Sequence, residues 1–351
     1  NSRRYNAVYH YIDSNFILNP KVSFPQKLSI HDGQWYLYLA ENWYPQNPTV
    51  DFQKKIDQTG DSYAYFPLYP LLIRLLNLIT NNVTNAAFAL TWILLLSNFI
   101  SLYSVTSKLF DPSIALKSAL LMFLSPFSAF YRFYYAESLL LFLFIWFCYF
   151  TLKHKFIHSS VILSLILITK TNAFPLLIIY AWYLFKHLWL AKKILHYIIN
   201  LTISASLLII WIAYCYFQTN DPLYFISIRA HWFNFSIVPI ITNILLLFHP
   251  LTYTSELTRF EIISVPIHLL LVYYSKKILP PFIRISLFTM AIFPLFITVV
   301  VSYTRYQIIL FGIWIFIAKM LTSKQYFLLI GLSIPLFFIT GIGIINWVWY
   351  G

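Results

Sequence analysis

Residues 194–217 read ILHYIINLTISASLLIIWIAYCYF, a run without one Asp, Glu, Lys or Arg. An α-helix of about 20 apolar residues is long enough to cross a bilayer, so this run predicts a transmembrane helix. Further helices are predicted at 86–107, 118–131, 137–152, 157–169, 173–188, 261–275, 285–301, 305–321 and 326–348. The strands of a transmembrane β-barrel would alternate between apolar and polar residues, and these runs show no such alternation. The sequence therefore predicts an all-α polytopic membrane protein with about ten transmembrane helices.

The composition agrees with this fold class. Of the 351 residues 60% are apolar and only 10% are charged, and the mean hydropathy is +0.71. Soluble domains are roughly one-quarter charged, which excludes a water-soluble enzyme. A net charge of +13 would suggest nucleic acid for a soluble protein. In a membrane protein it indicates Lys-rich cytoplasmic loops, so membrane lipid and not nucleic acid is the expected partner.

Basic residues in short loops predict the orientation. Five connections carry them: Lys108 and Lys117; Lys153 and Lys155; Lys186, Lys192 and Lys193; Lys276, Lys277 and Arg284; Lys319 and Lys324. With these connections inside, residues 1–85 form a non-cytoplasmic first loop with short and interfacial helices. Residues 86–351 form the transmembrane helical domain, which includes a non-cytoplasmic loop at 218–260. All five basic connections lie on one side only if an even number of helices crosses between one connection and the next. This requires that 66–80 and 237–249 do not cross, and we interpret both as interfacial or re-entrant.

Asp32 lies in the polar first loop, within His31-Asp32-Gly33-Gln34-Trp35-Tyr36. The spacing of the following aromatic residues predicts a short helix that starts just after Asp32. Two interpretations stay open. Asp32 could cap that helix, or its carboxylate could accept a proton from an alcohol at the membrane surface.

Glu137 lies in Arg132-Phe133-Tyr134-Tyr135-Ala136-Glu137-Ser138, between two predicted spans. An acid at a helix N-terminus is favoured by the helix dipole, which could explain Glu137. An ionisable residue at the membrane edge is also a functional candidate. Arg132, five residues earlier, is the expected ion-pair partner of Glu137.

Three cations break the orientation pattern, because Lys170, Arg229 and Arg305 all fall on the non-cytoplasmic face. Each could anchor to lipid headgroups. Together they would suit an anionic substrate, because Arg grips a phosphate bidentately and Lys acts as a point charge. No metal-binding histidine spacing occurs, so no metal and no cofactor are expected.

Six segments, in order, resemble the PIG-V-type mannosyltransferase family. They are HDGQWYLYLAENWY (31–44), FPLYPLLIRLL (66–76), SPFSAFYRFYYAESLLLFL (125–143), TKTNAFPLL (169–177), DPLYFISIRAHW (221–232) and SYTRYQIILFGIW (302–314). His31 stands where Trp is common in the family, and Lys170 where Arg is common. Members begin with a transmembrane helix before the Asp loop, so we expect this chain to lack that first helix.

The resemblance implies a GT-C-like fold and an inverting glycosyltransferase that takes a sugar from a polyprenyl-phosphate donor. The acceptor would be lipid-linked or a glycan, on the non-cytoplasmic face of the cell membrane or the endoplasmic reticulum membrane. Asp32 would be the general base, with Glu137 as a second catalytic residue. Arg305, Lys170 and Arg229 would bind the donor phosphate. The residues expected to contact the substrates are His31, Trp35, Arg132, Asp221 and Trp232. The alternatives are a GT-C enzyme for another sugar, or a lipid or ion transporter.

Overall fold

The computed structural model describes residues 23–30, 32–48, 59–233, 256–297 and 303–345, and every regular element in these ranges is helical. The α-helices are α1 Phe24–Lys27, α2 Gly33–Asn42, α3 Leu68–Thr80, α4 Val83–Leu109, α5 Pro112–Leu124, α6 Glu137–Leu152, α7 Phe156–Leu167, α8 Pro175–Leu184, α9 Ile194–Thr219, α10 Tyr224–Phe233, α11 Glu256–Tyr274, α12 Pro281–Ile292, α13 Pro294–Ile297, α14 Tyr303–Gln307, α15 Phe311–Met320 and α16 Ser323–Ile345. Short 3-10 helices lie at Thr59–Ala64, Pro126–Arg132, Thr171–Ala173 and Ser275–Lys277, and a π-helical turn at Phe185–Trp189 follows α8.

Three helices are long and apolar enough to cross a membrane: α4, α9 and Ser323–Ile342 of α16. A fourth results if α5 and the 3-10 helix after it are one span, bent by 80°. Much of their surface is apolar and exposed; Phe217 on α9, for example, is 80% exposed. In water such a surface would be unfavourable, whereas lipid covers it without cost. The described chain is thus all-helical, with three or four helices able to span a membrane.

Several predicted boundaries are confirmed. Helix α6 runs over the predicted residues, Glu137–Leu152, and α9 extends the predicted 194–217 helix by two residues, to Thr219. The 66–80 segment is helical from Leu68. The 237–249 segment lies outside the described residues.

Three predicted helices are interrupted in the structure, two of them at a proline. The predicted 118–131 helix ends at Leu124, because Ser125 is extended before Pro126, as residues before proline tend to be. The predicted 285–301 helix is broken at Pro294, which starts α13. The predicted 305–321 helix is two helices, α14 and α15, so Arg305 lies in a separate five-residue helix.

Hydrogen bonds from Tyr134 and Tyr135 dock the polar first loop onto the turn before α6. The Tyr134 N–H donates to the carbonyl of Leu28 at 3.2 Å, and its hydroxyl donates to the carbonyl of Pro25 at 2.6 Å. The Tyr135 hydroxyl donates to the carbonyl of Ile30 at 3.2 Å. These bonds hold the start of α2 beside the start of α6.

Two further contacts bring the other site-forming segments to the same place. The Leu68 N–H, at the start of α3, donates to the carbonyl of Ile168 at 3.1 Å, in the connection between α7 and α8. The Tyr131 hydroxyl donates to the carbonyl of Ile308, just after α14. Tyr131, Tyr134 and Tyr135 are all fully buried. Tyrosine hydroxyls therefore join segments distant in sequence while their rings fill the core.

Candidate functional site

Four charged side chains from four separate segments form a continuous chain of ion pairs. Nη1 of Arg305 lies 2.7 Å from Oδ2 of Asp32, and Nε of Arg305 lies 2.5 Å from Oε1 of Glu137. Nζ of Lys170 lies 2.5 Å from the same Oε1. The order Asp32–Arg305–Glu137–Lys170 alternates negative and positive charge. We call these four residues the charge cluster.

The local structure around each carboxylate shows what holds it in place. Helix α2 begins directly after Asp32, as predicted, but the Asp32 side chain makes no capping hydrogen bond. Its carboxylate instead meets Arg305 and accepts a hydrogen bond from the Tyr65 hydroxyl at 3.1 Å. Glu137 is the first residue of α6, where the helix dipole favours an acid, and its Oε1 also pairs with Lys170 and Arg305. Both carboxylates therefore serve the charge cluster.

The four members differ in their access to solvent. The side chains of Glu137, Arg305 and Lys170 are 1%, 3% and 9% exposed, whereas that of Asp32 is 26% exposed. A buried charge is tolerated when an opposite charge compensates its lost hydration. Asp32 is thus the most solvent-accessible member, and the other three are buried.

Burial and neighbouring charges set the protonation of Lys170, which lies in the connection between α7 and α8. Burial lowers the pKa of Lys170 to about 8, Glu137 opposes that shift, and Arg305 adds to it. Lys170 is therefore a cation at neutral pH that loses its charge under mildly alkaline conditions.

Aromatic rings lie against the two cations and beside Asp32. The guanidinium carbon of Arg305 lies 4.2 Å from the ring centroid of Tyr135, and Nζ of Lys170 lies 4.8 Å from that of Tyr306. These are cation–π distances. Trp35 stacks on Tyr65 with 5.8 Å between the ring centroids, which fixes the ring whose hydroxyl reaches Asp32.

One predicted contact is wrong. Arg132 does not pair with Glu137; its guanidinium donates to the carbonyl of Ser128 at 2.8 Å and lies 4.4 Å from the ring centroid of Phe337. The reason is the 3-10 helix Pro126–Arg132, which directs Arg132 back along its own turn, whereas Glu137 starts α6. Lys170 and Arg305 take the place predicted for Arg132.

Asp221 lies apart from the charge cluster. Its two carboxylate oxygens accept hydrogen bonds from the N–H of Leu223 and the hydroxyl of Ser227, both at 2.8 Å, so it caps α10. His31 and the side chains of Arg229 and Trp232 lie outside what the structure describes. The charge cluster therefore unites four of the predicted residues: Asp32, Glu137, Lys170 and Arg305.

Three site residues received no specific role from the sequence: Tyr65, Tyr135 and Tyr306. Two of them have a signal in hindsight, since Tyr135 precedes Glu137 by two positions and Tyr306 follows Arg305 directly. With Tyr making up 27 of the 351 residues, that signal cannot be separated from ordinary packing without the fold.

Within the described ranges, no three His, Cys, Asp or Glu side chains come close enough to hold a metal ion. The chain was also compared with protein-family models, curated proteins and solved structures, and no match was found in any of the three.

Proposed function

We propose that this chain is an integral-membrane glycosyltransferase that moves a sugar from a polyprenyl-phosphate donor to a lipid-linked or glycan acceptor. The observation that carries the proposal is the charge cluster, in which one accessible carboxylate touches a buried arginine. In the proposed arrangement about ten transmembrane helices form a GT-C-like bundle. The cluster then opens on the non-cytoplasmic face.

The charge balance of the cluster dictates how an anionic donor would bind. Two carboxylates and two cations sum to zero, so no cation is in excess. A donor phosphate must therefore replace a carboxylate at Arg305. Asp32 is the partner it would displace, because Glu137 is buried and also holds Lys170.

This displacement would also prepare the base. A carboxylate paired with a guanidinium is a weak base, because the positive charge favours its ionised form. When the phosphate takes over Arg305, Asp32 is released towards the acceptor hydroxyl. Asp32 then accepts the hydroxyl proton while the hydroxyl oxygen attacks the anomeric carbon and the bond to the phosphate oxygen breaks. Attack from the opposite side inverts the anomeric configuration.

The remaining members of the cluster would serve the leaving phosphate. Arg305 and Lys170 would stabilise the charge that grows on the phosphate as the sugar departs, in a dry site where such stabilisation is strong. Glu137 would hold both cations through a single oxygen, Oε1. Glu137 acts here as a positioning residue, because it contacts the cations and not the reacting atoms.

The choice of mannose rests on the resemblance of six sequence segments to the PIG-V-type family. Donor profiling tests it. The purified chain in proteoliposomes receives polyprenyl-phosphate-mannose, -glucose or -arabinose with a mixed lipid and glycan acceptor fraction. The proposal predicts sugar transfer, with mannose the preferred donor. Transfer of a different sugar would keep the reaction class and change the substrate. Movement of labelled lipid across the bilayer without transfer would instead support the transporter.

A further inference from the structure

A second charged surface lies at the far end of α6 from the charge cluster. The turn between α6 and α7 carries Lys153, His154 and Lys155, all exposed. Helix α6 has 16 residues, so this turn lies about 24 Å from Glu137 along the helix axis. The surface is therefore separate from the proposed catalytic site.

The end of α8 adds more basic groups to the same surface. The π-helical turn carries Lys186 and His187, and Lys192 and Lys193 precede α9, all of them exposed. The rings of His154 and His187 lie 4.8 Å apart, so the two turns are in contact. No Asp or Glu occurs anywhere in residues 138–220. We call these residues the basic surface.

Both helix ends that meet here have an unfavourable backbone conformation. α6 and the segment after α8 each end in a Schellman motif, with His154 at φ 54° and Lys192 at φ 60°. The 6→1 bonds run from the Lys155 N–H to the Phe150 carbonyl and from the Lys193 N–H to the Leu188 carbonyl. Glycine is the usual residue at this left-handed position. A side chain in this conformation carries a conformational cost, and such costs are often found at functional sites.

Exposed tryptophan rings lie next to the basic surface. Trp182, Phe185 and Trp189 stack in succession, with ring centroids 5.7 Å and 6.1 Å apart. Trp182 is 58% exposed and Trp189 is 40% exposed, and Nζ of Lys186 lies 5.1 Å from the Trp182 ring centroid. Exposed tryptophan is typical of the level of lipid headgroups.

We propose that the basic surface binds the phosphate of an anionic lipid headgroup, with His154 and His187 as donors at its centre and lysines around them. Cytoplasmic loops are generally Lys-rich, which accounts for lysines in these turns. That rule does not account for two touching histidines or for basic residues in left-handed positions. The proposal does not depend on the proposed glycosyltransferase activity.

The test uses a variant that removes two side chains of the basic surface and also removes the conformational cost of their left-handed backbone. In His154→Gly with Lys192→Gly, glycine occupies both left-handed positions, so the thermal unfolding midpoint in neutral detergent should equal or exceed that of the wild type. Native mass spectrometry then measures phosphatidylglycerol binding to the full chain. Each lost cation is expected to weaken binding about fivefold, so the double variant should bind at least fivefold more weakly.

Lys277→Gln with Lys324→Gln is the matched control, because both lysines are exposed and neither belongs to the basic surface. This control should bind phosphatidylglycerol like the wild type. Lys155→Gln with Lys186→Gln leaves both left-handed positions unchanged and should reproduce the loss. Unchanged phosphatidylglycerol binding in both basic-surface variants would overturn the proposal. An equal loss of binding in the control would also overturn it, because the lipid would then be attracted by positive charge in general. If inorganic phosphate at the same concentration displaced phosphatidylglycerol, the ligand would be free phosphate and the proposed lipid ligand would be wrong.

Discussion

The guanidinium of Arg305 holds the carboxylate of Asp32, with 2.7 Å between Nη1 and Oδ2. The two residues are separated by most of the chain, and Arg305 is buried whereas Asp32 is partly exposed. Through this pair, the partly exposed Asp32 is joined to the buried part of the charge cluster. The proposed mechanism depends on it, because donor phosphate and Asp32 would compete for the same guanidinium.

Glu137→Gln should destabilise the protein strongly. It removes the carboxylate that compensates Lys170 and Arg305, both buried. Removing one partner from a buried ion pair costs about 3–5 kcal/mol. The free energy of unfolding, measured by denaturant titration in detergent, should fall by that amount. Lys277→Gln is the control, because Lys277 is exposed and such changes usually stay within about 0.5 kcal/mol.

Lys170→Met combined with Glu137→Gln tests whether the loss arises from unpaired charge. The double variant has one uncompensated cation fewer than Glu137→Gln, so it should be more stable than Glu137→Gln alone. A double-mutant cycle with unfolding free energies gives the coupling between the two residues. Additive losses would mean that Lys170 and Glu137 do not interact in the folded protein.

Donor use should weaken as the pH rises through about 8. Lys170 is charged below its lowered pKa of about 8 and neutral above it, so its attraction for a phosphate is lost on the alkaline side. The pH profile of kcat/KM reports groups of the free enzyme and is the measurement to make. In Lys170→Arg the cation persists at alkaline pH, so the decline should disappear or move to higher pH. An identical decline in Lys170→Arg would assign it to another group.

Tyr65→Phe should lower the free energy of unfolding, measured by denaturant titration in detergent, by about 1.5–3 kcal/mol, because a hydrogen bond to a charged group contributes that much. The substitution removes the hydroxyl that donates to Asp32 but leaves the ring that stacks on Trp35. Tyr63→Phe is the matched control, since the Tyr63 hydroxyl donates to the carbonyl of Pro45 and not to the charge cluster. Equal loss in both variants would indicate a general packing effect.

The orientation of α9 can be tested by cysteine labelling. Its 26 residues span about 39 Å, enough to cross a bilayer. Cysteines introduced at Asp221 and at Lys193 should react with a membrane-impermeant maleimide from opposite sides of the membrane. The native Cys148 and Cys215 are buried and should add little background. Labelling of both positions from the same side would contradict a transmembrane α9.

Apolar length predicted most of the helices, and the interruptions were missed. Glu137–Leu152 follows directly from a polar residue at each end of an apolar run. The run that contains Pro294 looked continuous because hydropathy takes no account of the missing N–H of proline. In the break between α14 and α15 the Ile308 carbonyl accepts a hydrogen bond from the Tyr131 hydroxyl, a long-range contact that a local pattern does not contain.

The members of the charge cluster were predictable, whereas their pairing was not. Asp32, Glu137, Lys170 and Arg305 stood out as ionisable residues on one predicted face. Sequence proximity favoured Arg132 as the partner of Glu137, yet the true partners, Lys170 and Arg305, are 33 and 168 residues away. Long-range partners depend on how tyrosine contacts dock the first loop and α14 onto the start of α6.

The most direct test of the account is Asp32→Asn in a reconstituted assay with polyprenyl-phosphate-mannose. Asparagine keeps the shape of the side chain and can still accept hydrogen bonds from Arg305 and Tyr65, but it cannot take a proton from the acceptor. The rate of sugar transfer should fall about 10²–10⁴-fold. The thermal unfolding midpoint should fall less than in Glu137→Gln, because Asp32 is partly exposed and asparagine keeps both hydrogen bonds. A rate within tenfold of the wild type would contradict Asp32 as the general base.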